Sequence, residues 1–472
     1  MSPDRPQQYP ASTDPPRLAR RSSPRRAGRT PLRPTVVGVL ASLLAAVLAA
    51  VVLSTAPSAT SIRSTEIRAQ GQGADAEHAD TTRAARGVGA PRVEAAQRLL
   101  GRQTAAIRDG SRVDYLDTID PHPASEDFAT IAERTFDNLS RMGVVTARFD
   151  DLVADQGGLT PERREQLGPG AFVAETTLRF RLGGPDREHE WSTPLRLTFV
   201  QRGGETYLAN DREGTGSSEP LPLWLLDEVH AVRGANSMVI GTADKELLRN
   251  YREVADRAVP KVSEIWGRDW AEYLVLLVPD TQQQMERTIG AEHDSQTAVA
   301  AVTTSVARAE PAEASHIVVN PATFADIGEL GRLVVLTHEV AHVATAATVS
   351  QMPMWLSEGF ADYVGFRDAG LPTSRVAREL LDGVRAHGPP DRLPGSEEFD
   401  PRAGELDQAY EASWSACHYI ASRWSEDTLV RLYREVDLAG TEQDADEAFE
   451  RVLGIGMTQF TADWRDYVAS LA

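Results

Sequence analysis

Ile327–Val349 reads IGELGRLVVLTHEVAHVATAATV, and after Ser350-Gln351-Met352 the chain continues at Pro353–Tyr363 with PMWLSEGFADY. Leu333, Val334, Val335, Leu336, Val340 and Val343 predict a helix that is apolar on several sides and therefore packed on several sides. Inside it stands His338-Glu339-Val340-Ala341-His342. Histidines at i and i+4 share one helix face, about one turn apart. Their ring nitrogens can converge on one Zn²⁺ with bonds of about 2.0–2.1 Å. Glu339, beside the first histidine, can face a metal-bound water instead of the metal. The rival interpretation is two surface histidines on an ordinary helix. The apolar surroundings weigh against it, because half-buried imidazoles need partners.

Catalytic zinc sites usually take three protein ligands and keep one position open. Glu358, sixteen residues after His342, is the candidate third ligand. Residues 350–353 read as a turn, with Pro353 able to open a second helix. Two helices so briefly connected can run antiparallel, which returns Glu358 towards the histidine pair. Asp362 lies one turn beyond Glu358 on the same face, where it can accept the second ring N–H of a ligand histidine and fix its tautomer. The competing assignment for both acids is a solvated helical face. Trp355 and Phe360 read as core anchors of this helix.

Upstream, Ser237–Gly241 and Tyr273–Val278 are short apolar strands flanking a helix, Thr242–Trp266, with a kink expected at Pro260. Ala298–Val306 and His316–Asn320 are two more strands, and the chain after Val349 is mostly helical. Strands followed by helices indicate an α+β unit over residues 224–472. Ala298–Val306 is the candidate edge strand, where an extended peptide can add itself to a sheet; an interior strand is the alternative. Before a Gly/Ser/Pro linker at Asp211–Pro222, residues 91–213 form a smaller α+β unit. Val93, Ala96, Leu99, Leu100 and Ile107 mark one helix, and Phe128, Ile131, Phe136 and Leu139 mark a second, Ser125–Met142. Period-two patterns then mark strands at Ala171–Leu182, Leu195–Phe199 and Glu205–Asn210. Two separate cores are expected.

The 472 residues include 49 basic and 69 acidic side chains, a formal charge of −20, and one cysteine, Cys417. A lone cysteine excludes an internal disulfide framework and every multi-cysteine metal site. The acidity argues against nucleic acid as a partner. The charge is polarised: residues 1–35 carry +6 and the remainder −26. Between them Val36–Leu53 is 18 residues without a charge, the lower limit for a membrane-spanning helix. The basic flank puts residues 1–35, a disordered tail, in the cytoplasm, with the bilayer crossed at residues 36–53 and a flexible linker at 54–90. A secretory signal cleaved near Ser54-Thr55-Ala56 is the rival to this anchor.

HEVAH at 338–342 with WLSEGFADY at 355–363 resembles the gluzincin metallopeptidases, the thermolysin-like and peptidase MA-like group. The resemblance is specific over about 60 residues and extends in outline to 224–472. It implies a zincin-like domain of a sheet plus active-site helices, with a helical C-terminal part. It implies zinc held by His338, His342 and Glu358, Glu339 as general base, and Asp362 supporting a ligand histidine. Tyr410 is placed where related gluzincins carry an oxyanion-stabilising tyrosine; an aromatic packed in a helical bundle is the other assignment. Cys417 and His418, two turns on, read as packing. The implied activity is a membrane-anchored, extracytoplasmic zinc peptidase acting on a peptide or protein substrate. A catalytically silent surface or binding protein that keeps the metal helix as structure is the alternative. The Gly-x-Met-Glu-Asn segment of the aminopeptidase branch is missing, so aminopeptidase specificity is not implied. Residues 91–213 resemble, in topology alone, the nuclear transport factor 2-like cone of a curved sheet on helices.

Overall fold

The computed structural model describes residues 89–155, 158–214, 220–291, 300–304, 316–347, 350, 352–400, 404–439 and 442–472. The expected tail, bilayer-spanning segment and nearly all of the expected linker lie outside these residues. Among the described residues no helix is long and apolar enough to cross a membrane. The described chain is α+β, with two sheets and many helices.

The first unit opens with α1 (Ala90–Asp109) and α2 (Glu126–Met142). Each ends on a glycine in the left-handed region, Gly110 and Gly143, which supplies the cap conformation other residues resist. An antiparallel meander follows: β1 (Val144–Asp155), β2 (Phe172–Leu182), β3 (Trp191–Arg202) and β4 (Glu205–Asn210). Along β2, Thr176, Leu178, Phe180 and Leu182 are buried while Glu175 and the arginines between them reach solvent. One sheet face therefore packs against α1 and α2. The sequence pattern located β2, β3 and β4 but not β1. The β1–β2 register shifts between Asp150 and Val153, and Asp151 takes φ 55°. An extra residue of this kind breaks the two-residue alternation that marks a strand.

The second unit carries a five-stranded sheet in the order β5-β6-β7-β9-β8. Its strands are β5 (His230–Arg233), β6 (Ser237–Gly241), β7 (Leu274–Val278), β8 (Ala301–Thr304) and β9 (His316–Val319). The central strands β6, β7 and β9 run parallel, and the outer β5 and β8 run antiparallel to their neighbours. Both β6 and β7 are buried along their whole length, as a parallel strand covered on both faces should be. Within the expected strand Ala298–Val306, β8 lies at the edge of the sheet among the described residues.

Between β6 and β7 the chain forms α3 (Lys245–Trp266), which runs on through Pro260 as a helix. After β7 come α4 (Gln282–Ile289), then α5 (Gly328–Ala344), α6 (Met354–Phe366), α7 (Arg378–His387) and α8 (Leu406–Arg423). The chain closes with α9 (Glu426–Asp437), α10 (Glu442–Leu453) and α11 (Met457–Leu471). Helix α5 packs on α3 and α6, and α6 packs on α8.

The expectation of two separate cores is corrected. One buried apolar cluster runs from Ala96 to Val468 through the connection Leu221–Val229. Trp224 and Leu225 of that connection line the cavity inside the first unit, beside Tyr115, Phe128 and Leu178. Trp224 meets Phe180 edge-on at 5.7 Å. Trp191 of β3 stacks on His316 of β9 at 5.0 Å and 7°. Asn138 of α2, fully buried, fastens the connection. Its Nδ2 donates to the carbonyls of Trp224 (2.8 Å) and Asp227 (2.7 Å), and its Oδ1 accepts from the Val229 amide (3.0 Å). Asn138→Ala orphans all three backbone groups, so it is expected to cost about 2–4 kcal/mol. Urea unfolding of the variant should show this loss in one transition shared by both sheets. A loss confined to an early, separate transition would contradict the continuous core.

Candidate metal centre

Helix α5 is buried on nearly every side, because it lies between the sheet, α3 and α6. His338 and Glu339 are fully buried and His342 nearly so. Thr337, which as a β-branched hydroxyl residue is a modest helix former, satisfies its hydroxyl on the Leu333 carbonyl at 2.7 Å. Helix α6 starts at Pro353, whose carbonyl accepts from the amides of Leu356 (2.9 Å) and Ser357 (3.1 Å). The expected second helix is present.

Helix α6 is held from several directions. Trp355 packs against Phe449 and Phe460, and Phe360 against Trp266 and Tyr433. Both are core anchors, as expected. Two glycines bring its backbone close to its neighbours. A Cβ at Gly365 would sit 3.0 Å from the Val334 carbonyl oxygen of α5. A Cβ at Gly359 would collide with the Ser413 carbonyl of α8 and touch Cys417 Sγ at 3.0 Å. Cys417 is fully buried in this packing, and His418 stacks on Trp414 at 4.9 Å while its Nδ1 bonds the Tyr467 hydroxyl at 2.8 Å. Neither residue belongs to the centre.

This arrangement brings His338, His342 and Glu358 together. Nε2 of His338 lies 3.0 Å from Nε2 of His342, and Oε2 of Glu358 lies 3.4 Å and 3.3 Å from them. For Zn²⁺ with bonds of about 2.0–2.1 Å, a tetrahedron has edges of about 3.3–3.4 Å, so the three donors are spaced as one face of it. Glu358 Oε2 is buried without a hydrogen-bond partner. A buried carboxylate oxygen left so between two imidazoles is what a cation would satisfy. His338 Nδ1–H donates to Asp362 Oδ1 at 2.9 Å, which fixes the tautomer and points Nε2 at the cluster. These residues fit a metal ion. Among the described residues this is the one cluster of at least three His, Cys, Asp or Glu side chains so arranged.

The electrostatics agree. Burial alone would depress the His338 imidazole, but Asp362 and Glu358 outweigh it and raise its pKa to about 10. Burial pushes Glu358 up, and the two imidazoles pull it down to about 2. Burial raises Asp362. Two acids around two imidazoles in a dry interior thus stabilise positive charge between them.

Glu339 stands beside the cluster without joining it. Its Oε2 accepts from the Thr303 hydroxyl at 2.6 Å, and its Oε1 is buried without a hydrogen-bond partner. Burial raises its pKa, against the pull of His338, His342 and Thr303. Thr303 had no mark in the sequence; it reaches the centre only because β8 folds against α5. Tyr410 on α8 is 2 % exposed, its ring 6.5 Å from His338 and edge-on to Phe399 at 5.2 Å. Burial, then the charges of Glu358, Asp362 and Glu339 and a hydrogen bond with Glu358, hold its hydroxyl well above the ordinary tyrosine range. It is both packed in the helical bundle and turned to the centre. No protein-family model and no curated protein sequence matches the chain.

The backbone approach at Gly359, next to the third ligand, gives a direct test of the geometry. Gly359→Ala must displace α6 from α8 and with it Glu358. Metal affinity, measured by competition with a chromophoric chelator, should fall about 10- to 100-fold, as when a supporting group is lost. Gly383→Ala on α7, where the nearest atom would lie at 3.6 Å, should leave affinity unchanged.

Proposed function

We propose that the chain is a zinc-dependent peptidase of gluzincin type, with residues 224–472 as a zincin-like catalytic unit. The observation that carries this reading is the Nε2–Nε2–Oε2 triangle of His338, His342 and Glu358 with the free Oε1 of Glu339 beside it. A purely structural site has no need of that fourth group. Val36–Leu53 serves in this reading as the anchor that holds the catalytic unit on the extracytoplasmic face.

His338, His342 and Glu358 would hold the ion. Bound there, Zn²⁺ supplies a Lewis acid that polarises a carbonyl and acidifies water. Glu339 takes the proton of the attacking water on Oε1 and hands it to the leaving amine. Its raised pKa brings a carboxylate nearer the working range of such a shuttle. Asp362 keeps His338 in the ligating tautomer. Tyr410 stays protonated at every working pH, so its hydroxyl remains a donor for the oxyanion that forms at the scissile carbon. The outer edge of β8, unpaired among the described residues, offers backbone donors and acceptors to an extended peptide.

The test uses purified full-length protein. Wild type should carry about one zinc per chain and hydrolyse members of a peptide library. Glu339→Gln should keep the zinc and lose about 10²- to 10⁴-fold in rate. His342→Ala should lose the zinc. A chain without zinc contradicts the site, and a zinc-loaded chain inactive on every peptide supports a silent binding protein instead.

A further inference from the structure

Among the described residues, Thr303 is the polar contact of the base outside the metal cluster. Thr303 lies on β8, paired with Ile317 of β9. Its hydroxyl is 2.6 Å from Glu339 Oε2 and 3.2 Å from the Glu339 carbonyl oxygen. One hydroxyl has one proton to give, and the short distance assigns it to the carboxylate, where such bonds run about 2.5–2.7 Å. Thr303 is 7 % exposed and Glu339 is fully buried, so little water competes for the bond.

A glutamate carboxylate has two equivalent oxygens on a torsion with a broad minimum. Nothing in Glu339 alone decides which oxygen faces the metal cluster. Thr303 removes that freedom. It takes Oε2 and leaves Oε1 without a partner. A threonine is suited to the task, because branching at Cβ stiffens χ1 and its backbone is held in a paired strand. Serine would make the same bond with a looser rotor. Valine would keep nearly the same shape and make no bond.

We propose that Thr303 is the positioning residue of the general base: its hydroxyl fixes the Glu339 carboxylate so that one oxygen is presented to the reacting water. This rests on the peptidase reading for its catalytic consequence and on geometry alone for the orientation. It also joins two parts of the centre. The strand that orients the base is the edge strand proposed to receive the peptide, so substrate register and base position share one rigid element.

The test compares zinc-loaded full-length wild type, Thr303→Val and Thr303→Ser. Each is measured for zinc content, kcat, KM and the Glu339 conformation in crystals. Thr303→Val should keep about one zinc per chain and a KM within about twofold, and lose about 10- to 100-fold in kcat, the scale of a misplaced catalytic group. In its crystals the Glu339 carboxylate should occupy a different or a second rotamer. Thr303→Ser should recover most of the rate and a single Glu339 conformer. An unmoved carboxylate in Thr303→Val overturns the proposal, and so does an equal loss in the valine and serine variants, which would mark simple packing. If wild type hydrolyses no peptide, the peptidase reading fails, and the crystal comparison still decides whether Thr303 positions Glu339.

Discussion

Everything around the centre follows from one constraint: three donor atoms on two helices must meet within 3.0–3.4 Å in a buried place. The imidazoles and carboxylates of His338, Glu339, His342, Glu358 and Asp362 are all buried there, none more than 5 % exposed. Unpaired, such groups would each cost several kcal/mol. They are tolerable because each carboxylate faces an imidazole or a hydroxyl, and because a cation between the donors would offset the remaining cost. Free energy of metal binding at such a site is also free energy of folding.

The rest of the second unit serves that meeting. The parallel strands β6, β7 and β9, buried on both faces, form a stiff floor under α3 and α5. Helix α6 is pinned by Trp355 and Phe360 at its sides and by Gly359 and Gly365 at its two closest backbone approaches. A side chain at Gly359 would collide with the α8 backbone and push the helices apart, and one at Gly365 would crowd the α5 backbone. Tyr410 and the close carbonyl of Ser413 both come from α8, so one helix places the phenol and sets the position of the third ligand. The first unit contributes more distantly. Trp224 and Leu225 line its internal cavity, and Asn138 ties the connection that leads into β5.

The centre was largely legible in the sequence because its signals are local. His338 and His342 are one turn apart, Glu358 and Asp362 are one turn apart, and Pro353 marks the start of their helix. A short link then leaves few ways to fold the second pair away from the first. The α+β class and most strands were legible for the same reason, through alternation and apolar runs. What stayed hidden is non-local or irregular. Strand β1 lost its alternation to the register shift near Asp151. Strand β5 is half exposed and carries no apolar run. The core shared by the two units depends on how Leu221–Val229 inserts into the first unit, which no pattern within that segment reveals. Thr303 is an ordinary strand residue until β8 lies against α5, 36 residues away from Glu339 in the chain. The apolar segment at 36–53 has a clear compositional signal and lies outside the described residues.

In the proposed site His338, His342 and Glu358 bind one ion at three corners of a tetrahedron. X-ray absorption at the zinc edge of the purified protein reads the ligands directly. A shell of nitrogen and oxygen at about 2.0–2.1 Å is expected, with multiple scattering from two imidazoles and no sulfur. A sulfur shell at about 2.3 Å, which could come only from Cys417 or a second molecule, or an ion bound without imidazole, would contradict it.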